Sequence, residues 1–257
     1  MRAALVLLLL LPGGSAAAQT LPTVDALLDR LYAYVGDYRA KLPSLACVEA
    51  ITSEFVKNGK VKKTARLKAN FQYVHDGTKA DTIADPFVEQ PMVLTFDGNA
   101  HKPHITLPYF VFVGIWNAIS FGLPERKSCF DYHLSAENGD GVLRLEATAL
   151  QDLSAADCRD VIPSLRTTIL IDANQFRVLR TEQWVSGDDA ERHNSPFYFS
   201  MEYGPQTLGP ETLWLPVRLI SHDAKDEGRL EIDYSGYHRF TSEMRILPGD
   251  TPVAEQH

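Results

Sequence analysis

The chain has 257 residues, 45% hydrophobic and 23% charged, ordinary globular values that exclude wholesale disorder, collagen-like repeats and a multi-span membrane protein. Lys and Arg total 25 against 33 Asp and Glu, and the resulting −8 argues against non-specific attraction to DNA or an anionic membrane surface. A chain of this length can bury a large core without metal or a dense disulfide framework.

Arg2 precedes an unbroken apolar run from Ala3 to Leu11, then Pro12-Gly13-Gly14-Ser15 and Ala16-Ala17-Ala18. A basic start, a short apolar stretch and small residues at the A-x-A positions read as a secretory signal peptide over residues 1–18. The run is too short to span about 30 Å of hydrocarbon. A periplasmic or secreted protein, cleaved near Ala18, is expected. Residues 19–247 then form a single β-rich domain, and 248–257, with a Gly and two Pro, a frayed tail.

Thr23 can cap a helix from Val24 to Leu42, where Val24, Leu27, Leu28, Leu31, Val35, Tyr38 and Leu42 recur at helical spacing. Asp25 and Asp29 near its start and Arg39 and Lys41 at its end suit the macrodipole, and Pro43 stops it. Beyond Pro43 the period becomes two. A strand over about Cys47 to Val56 turns at Asn58-Gly59 into Leu67, Ala69, Phe71 and Tyr73, which alternate with polar residues. Further rows follow: Phe130, Tyr132 and Leu134; Leu143, Leu145, Ala147 and Ala149; Ile169 and Ile171; and Phe176 to Val185. Phe197 to Tyr203, Leu213 to Leu219 and Leu230 to Tyr234 complete them, and Ser186 to Pro196 reads as a loop. Successive hairpins with one solvated face predict an antiparallel meander, and the lack of crossover helices excludes Rossmann and TIM architectures. The predicted class is mainly β (α+β): a strongly curved sheet or half-barrel of nine to eleven strands, with the helix packed on its concave face.

One segment breaks the alternation. From Ile105 to Pro124 there is no charge, and Tyr109 to Trp116 is the most apolar stretch beyond the signal. Pro108, Asn117, Ser120 and two glycines leave it too short for a membrane span. Two readings stay open: a buried core segment, or an aromatic lid in which Phe110, Phe112, Trp116 and Phe121 line a ligand cavity.

Three cysteines allow one intramolecular bridge. Cys129 opens one strand and Cys158 follows its hairpin partner, so these two are the expected pair, with Cys47 a buried thiol. His101 and His104 flank Lys102-Pro103 and point to opposite faces of an extended stretch, so no metal and no cofactor is expected. Ser221, His222 and Asp223, with Glu231 and His238, lack a nucleophile elbow, and no hydrolase motif occurs elsewhere, so no catalytic residue is assigned. Asp188, Asp189 and Glu191 lack calcium-loop spacing and read as a solvated charged loop. No phosphate-binding loop or aromatic-interleaved basic patch appears, so nucleic acid is not an expected partner.

The end of the chain carries a family resemblance. Leu213-Trp214-Leu215-Pro216-Val217-Arg218 is followed by Leu230-Glu231-Ile232-Asp233-Tyr234-Ser235-Gly236-Tyr237-His238-Arg239-Phe240, and Ser44-Leu45-Ala46-Cys47 begins the strands after the helix. With the order of elements, these resemble the LolA/LolB-like half-barrel proteins of outer-membrane lipoprotein sorting, and also uncharacterised secreted bacterial proteins. The cleavage site lacks the lipidated Cys of LolB-type receptors. The resemblance implies a non-enzymatic periplasmic carrier for an acyl chain, lipid or lipoprotein. A structural module of the cell envelope with a fully packed core, or a hydrolase without a recognisable motif, are the alternatives.

Overall fold

The computed structural model describes residues 21–75, 87–96, 99–100, 107–109, 124–137, 141–159, 161–193, 197–225 and 227–239. The signal segment, His101 and His104, and the tail over 248–257 lie outside the described residues. Helix α1 runs Val24–Lys41; the Thr23 hydroxyl accepts the Ala26 N–H at 3.2 Å and Leu42 closes the last turn onto Tyr38. Leu27, Leu28, Leu31 and Val35 are buried to within 2%. Each such side chain contributes about 1.5–3 kcal/mol, and together they fix the helix on the sheet.

Eleven antiparallel strands make one open sheet. They are β1 Leu45–Lys57, β2 Lys60–His75, β3 Phe87–Phe96, β4 Asn99–Ala100, β5 Phe130–Glu137, β6 Val142–Ala149, β7 Arg166–Asp172, β8 Arg177–Trp184, β9 Tyr198–Leu208, β10 Glu211–His222 and β11 Gly228–Arg239. Asn58 and Gly59, both at positive φ, form the β1–β2 turn, as the hairpin signal required. The spatial order is β4-β3-β2-β1-β11-β10-β9-β8-β7-β6-β5. Two meanders, β1–β4 and β5–β11, are therefore joined by pairing the first strand with the last. Strand β3 carries Pro91 in mid-run, which hides it from a reading based on alternation. The stretch expected to be a loop holds a short helix, α2 Gly187–His193. Ser186 caps it by accepting the Asp189 N–H, and the acidic first turn suits the macrodipole.

The sheet curls around α1. Tyr32 faces Tyr132 on β5, whereas Tyr38 lies within electrostatic reach of Tyr203 on β9. Six residues of helix rise about 9 Å, but four strand spacings make about 19 Å of sheet. Tyrosine reach closes part of that gap and curvature the rest. At the β7–β8 turn, Phe176 adopts φ 51°, rare for a bulky residue. It is held there by the Arg30 guanidinium 4.0 Å from its ring centroid and by the edge of Tyr34. The end-of-chain motif is a structural lock. The Trp214 indole donates to the Val178 carbonyl at 2.8 Å, Arg177 lies over its ring, and Pro216 sits at a bulge where its carbonyl accepts the Tyr237 hydroxyl.

Cys129 and Cys158 are bonded, with Cα atoms 5.5 Å apart, tying the 3-10 turn before β5 to the one after β6. Cys47 keeps its thiol and is buried on β1. No helix among the described residues is long and apolar enough to cross a membrane.

Candidate functional site

Alternation along the central strands sends one row inward. On β1 it is Leu45, Cys47, Glu49, Ile51 and Ser53; on β2, Ala65, Leu67, Ala69, Phe71 and Tyr73; on β11, Leu230, Ile232, Tyr234 and, after the bulge at Gly236, Tyr237. Ser53 of β1 and Ser221 of β10 flank Leu230 of β11 in register, a row of two fully buried hydroxyls about one leucine.

Tyr109 lies across that row. The Ser53 hydroxyl donates to the Tyr109 carbonyl at 2.6 Å and accepts the Tyr109 N–H at 2.9 Å, replacing both hydrogen bonds of one backbone unit. The Tyr109 phenol lies 3.3 Å from the Ser221 hydroxyl. Beneath the ring is Gly228, where an added Cβ would come within 2.4 Å of Tyr109 Cδ2. Glycine is required there for close approach. The chain thus enters its most apolar segment pinned on the inner face of β1, β10 and β11. The expected ligand-lining residues, Phe110, Phe112, Trp116 and Phe121, lie outside the described residues.

Further along the same rows is a polar cluster that reading the sequence by motif misses. Glu49 is 5% exposed and paired in register with Ala69 on β2 and Tyr234 on β11. Burial pushes its carboxyl up to about 8, so it is protonated at neutral pH. Among the described residues no hydrogen bond or ion pair reaches it. Tyr237 is raised well above the usual phenol range, by burial first and then by Cys47, Tyr234, Tyr38 and Glu49. The Tyr38 and Tyr203 hydroxyls are buried without a hydrogen-bond partner among the described residues; Tyr203 faces Thr181 at a geometry short of a bond. The sequence does carry a signal for Glu49: a charged residue in phase with Leu45, Cys47 and Ile51.

The outer face is charged. Arg144 pairs with Glu146 at 2.9 Å, Arg180 with Glu182, and Arg218 with Glu231. A groove of about 570 Å³ lies along Arg144, Arg166, Thr168 and Trp184, and another of about 440 Å³ beside Glu54, His222 and Arg229. Trp184, Tyr198 and His222 meet between them as tilted rings, with centroids 5.4 and 4.9 Å apart. Ser221 and His222, adjacent on one strand, face opposite sides of the sheet. Asp223 instead accepts the N–H groups of Lys225, Glu227 and Gly228, so these three do not form a catalytic triad. Among the described residues no group of three His, Cys, Asp or Glu could hold a metal.

No protein-family model matches the chain, and no curated protein matches it in sequence. Solved structures similar to it include a DUF1329 family protein from Desulfovibrio piger, 12% identical over 86% of this chain and 94% of that one, with a TM-score of 0.47. A LolA superfamily protein from Nitrosomonas europaea is 14% identical over 86% and 95% of the two chains, with a TM-score of 0.38. An outer membrane lipoprotein-sorting protein domain from Vibrio parahaemolyticus is 10% identical over 87% and 96%, with a TM-score of 0.41.

Proposed function

We propose that this protein is a non-enzymatic carrier that holds the acyl chain of a lipid or lipoprotein against the inner face of its sheet, beneath the segment starting at Leu107. The carrying observation is the clamp on Tyr109. Ser53, Ser221 and Gly228 lay the start of an uncharged aromatic run over apolar rows, as a lid over an acyl chain would need. The outer face, with its ion pairs, offers an alkyl chain nothing comparable. A periplasmic or secreted location, after cleavage near Ala18, belongs to the same reading. The signal-like start and a Cys129–Cys158 bond suited to an oxidising compartment support it.

Uptake of a fluorescent fatty acid by the wild type and by Phe112→Ala and Trp116→Ala tests the lid. Weaker uptake with a modest fall in melting temperature is expected, because a residue facing a cavity has few packing partners to lose. A loss of about 3–5 kcal/mol with no detectable uptake by any form would identify the segment as core and the protein as a packed envelope module.

A further inference from the structure

We propose that the inner face holds a site for the cationic head group of an amphiphile, an alkylammonium, with Glu49 as its counter-charge and Tyr38 and Tyr237 beside it. The proposal deepens the carrier reading and rests on it.

Two acidic residues are buried among the described residues, and their surroundings differ. Glu182, on the outer face, is matched by Arg180. Glu49 stands on the inner face, where the buried residues described include no Lys, Arg or His. With no opposite charge among the described residues, the buried Glu49 rests protonated, and a cationic ligand would supply the charge that lets it ionise. The groups facing Glu49 are all suited to a cation. Cys47 lies two places along β1, Tyr234 is the cross-strand partner of Glu49 on β11, and Tyr237 of β11 lies within electrostatic reach of Glu49 and also of Tyr38 on α1. From β2 it meets Ala69, which ends at Cβ and carries no charge. Phenol faces and hydroxyl oxygens attract an ammonium group. The Tyr38 and Tyr203 hydroxyls have hydrogen-bonding capacity unmet among the described residues. A fatty-acid carboxylate would set a negative group beside the buried carboxyl and oppose its ionisation, and an alcohol would leave it protonated and unpaired. The apolar rows of β2 and β11 extend from this point toward Tyr109, and an attached alkyl chain would lie along them beneath the clamp.

Binding is written as R–NH₃⁺ plus Glu49–COOH giving the R–NH₃⁺···⁻OOC–Glu49 pair and one proton released to solvent. With the carboxyl raised to about 8, it is mostly protonated at pH 7, and nearly one proton per ligand is expected. Calorimetric titration of the full chain with decylammonium, decanol and decanoate, in buffers of different ionisation enthalpy, reads both affinity and proton release. Wild type should bind decylammonium about tenfold or more tighter than decanol and decanoate. It should release a proton with the amine alone. In Glu49→Gln the amine-to-alcohol ratio should collapse and the proton release vanish, while Glu49→Asp, which keeps the charge, should retain part of the preference. Equal binding of amine and alcohol by wild type, a preference for decanoate, or a ratio unmoved by Glu49→Gln overturns the proposal and leaves the carrier reading standing. Failure of all three ligands to bind overturns both. If Glu49→Gln does not fold, proton release by the wild type still decides.

Discussion

Glu49 and the cysteines carry the sharpest expectations at the scale of single residues. Burial raises the Glu49 carboxyl from an ordinary 4.5 to about 8, so in that window the folded chain keeps a proton that the unfolded chain has released. Its contribution to stability is therefore full below the lower value and is lost as pH rises through the higher, with a limiting slope of about 1.4 kcal/mol per pH unit. Melting followed by circular dichroism should show wild type weakening across that window and Glu49→Gln weakening much less. Parallel pH profiles would mean that Glu49 is solvated in solution. For the disulfide, the 29-residue separation gives a loop-closure contribution of about 3–4 kcal/mol. Cys129→Ala should cost about that much in urea unfolding. Non-reducing peptide mapping should link Cys129 to Cys158, with Cys47 alkylated only after denaturation, since it is 1% exposed.

At the scale of elements, the contact between β11 and the start of the aromatic segment is the one most open to dissection. A methyl group at Gly228 would overlap the Tyr109 ring at 2.4 Å, so Gly228→Ala must push the ring off Ser221 and strain the Ser53 clamp. A cost of about 1–3 kcal/mol is expected, as for other overpacked sites. In a Tyr109→Ala background the same change should cost much less, and a double-mutant cycle in urea measures the difference. Additive costs would show that ring and glycine do not meet. Helix α2 carries a gentler lesson. Ser186 followed by Gly187-Asp188-Asp189 contains a cap and an acidic first turn, yet the run is one of polar residues and reads as loop. Its helicity is local, held by a cap rather than by an apolar stripe.

At the scale of the whole molecule, the pairing of β1 with β11 decides how the parts depend on one another. In a simple meander the last strand would be an edge, and its loss would leave the rest intact. Here β11 lies between β1 and β10, and removing it separates β1–β4 from β5–β10. Truncation after residue 227 should abolish the cooperative melt, as seen by circular dichroism. A truncated chain that still unfolds in one sharp transition would contradict this order. In the intact chain, amides of β1, β10 and β11 should exchange most slowly and those of the edge strands β4 and β5 fastest.

Whatever depends on near neighbours along the chain is legible in the amino-acid sequence alone. The period of 3.6 in Val24 to Leu42, the period of two in nine strands, the Asn58-Gly59 turn and the Cys129–Cys158 pair all follow from local spacing. The inner rows are legible for the same reason, because alternation fixes which side chains share a face. Three things are decided only by the tertiary structure. The closing of β11 on β1 joins segments some 180 residues apart, and no short-range pattern encodes that partner. Strand β3 is concealed by Pro91, since a proline is acceptable in a strand only where its missing N–H meets no partner, a fact of sheet position. The candidate site lies hidden differently. Glu49, Ser53, Ser221 and Gly228 are ordinary residues in three separate strands, and each gains its meaning from what faces it across the sheet. A charge that is harmless at an exposed strand position becomes an unmatched buried group once Ala69 and Tyr234 flank it; spacing puts Glu49 in phase with Leu45, Cys47 and Ile51 but does not say which strands cover it.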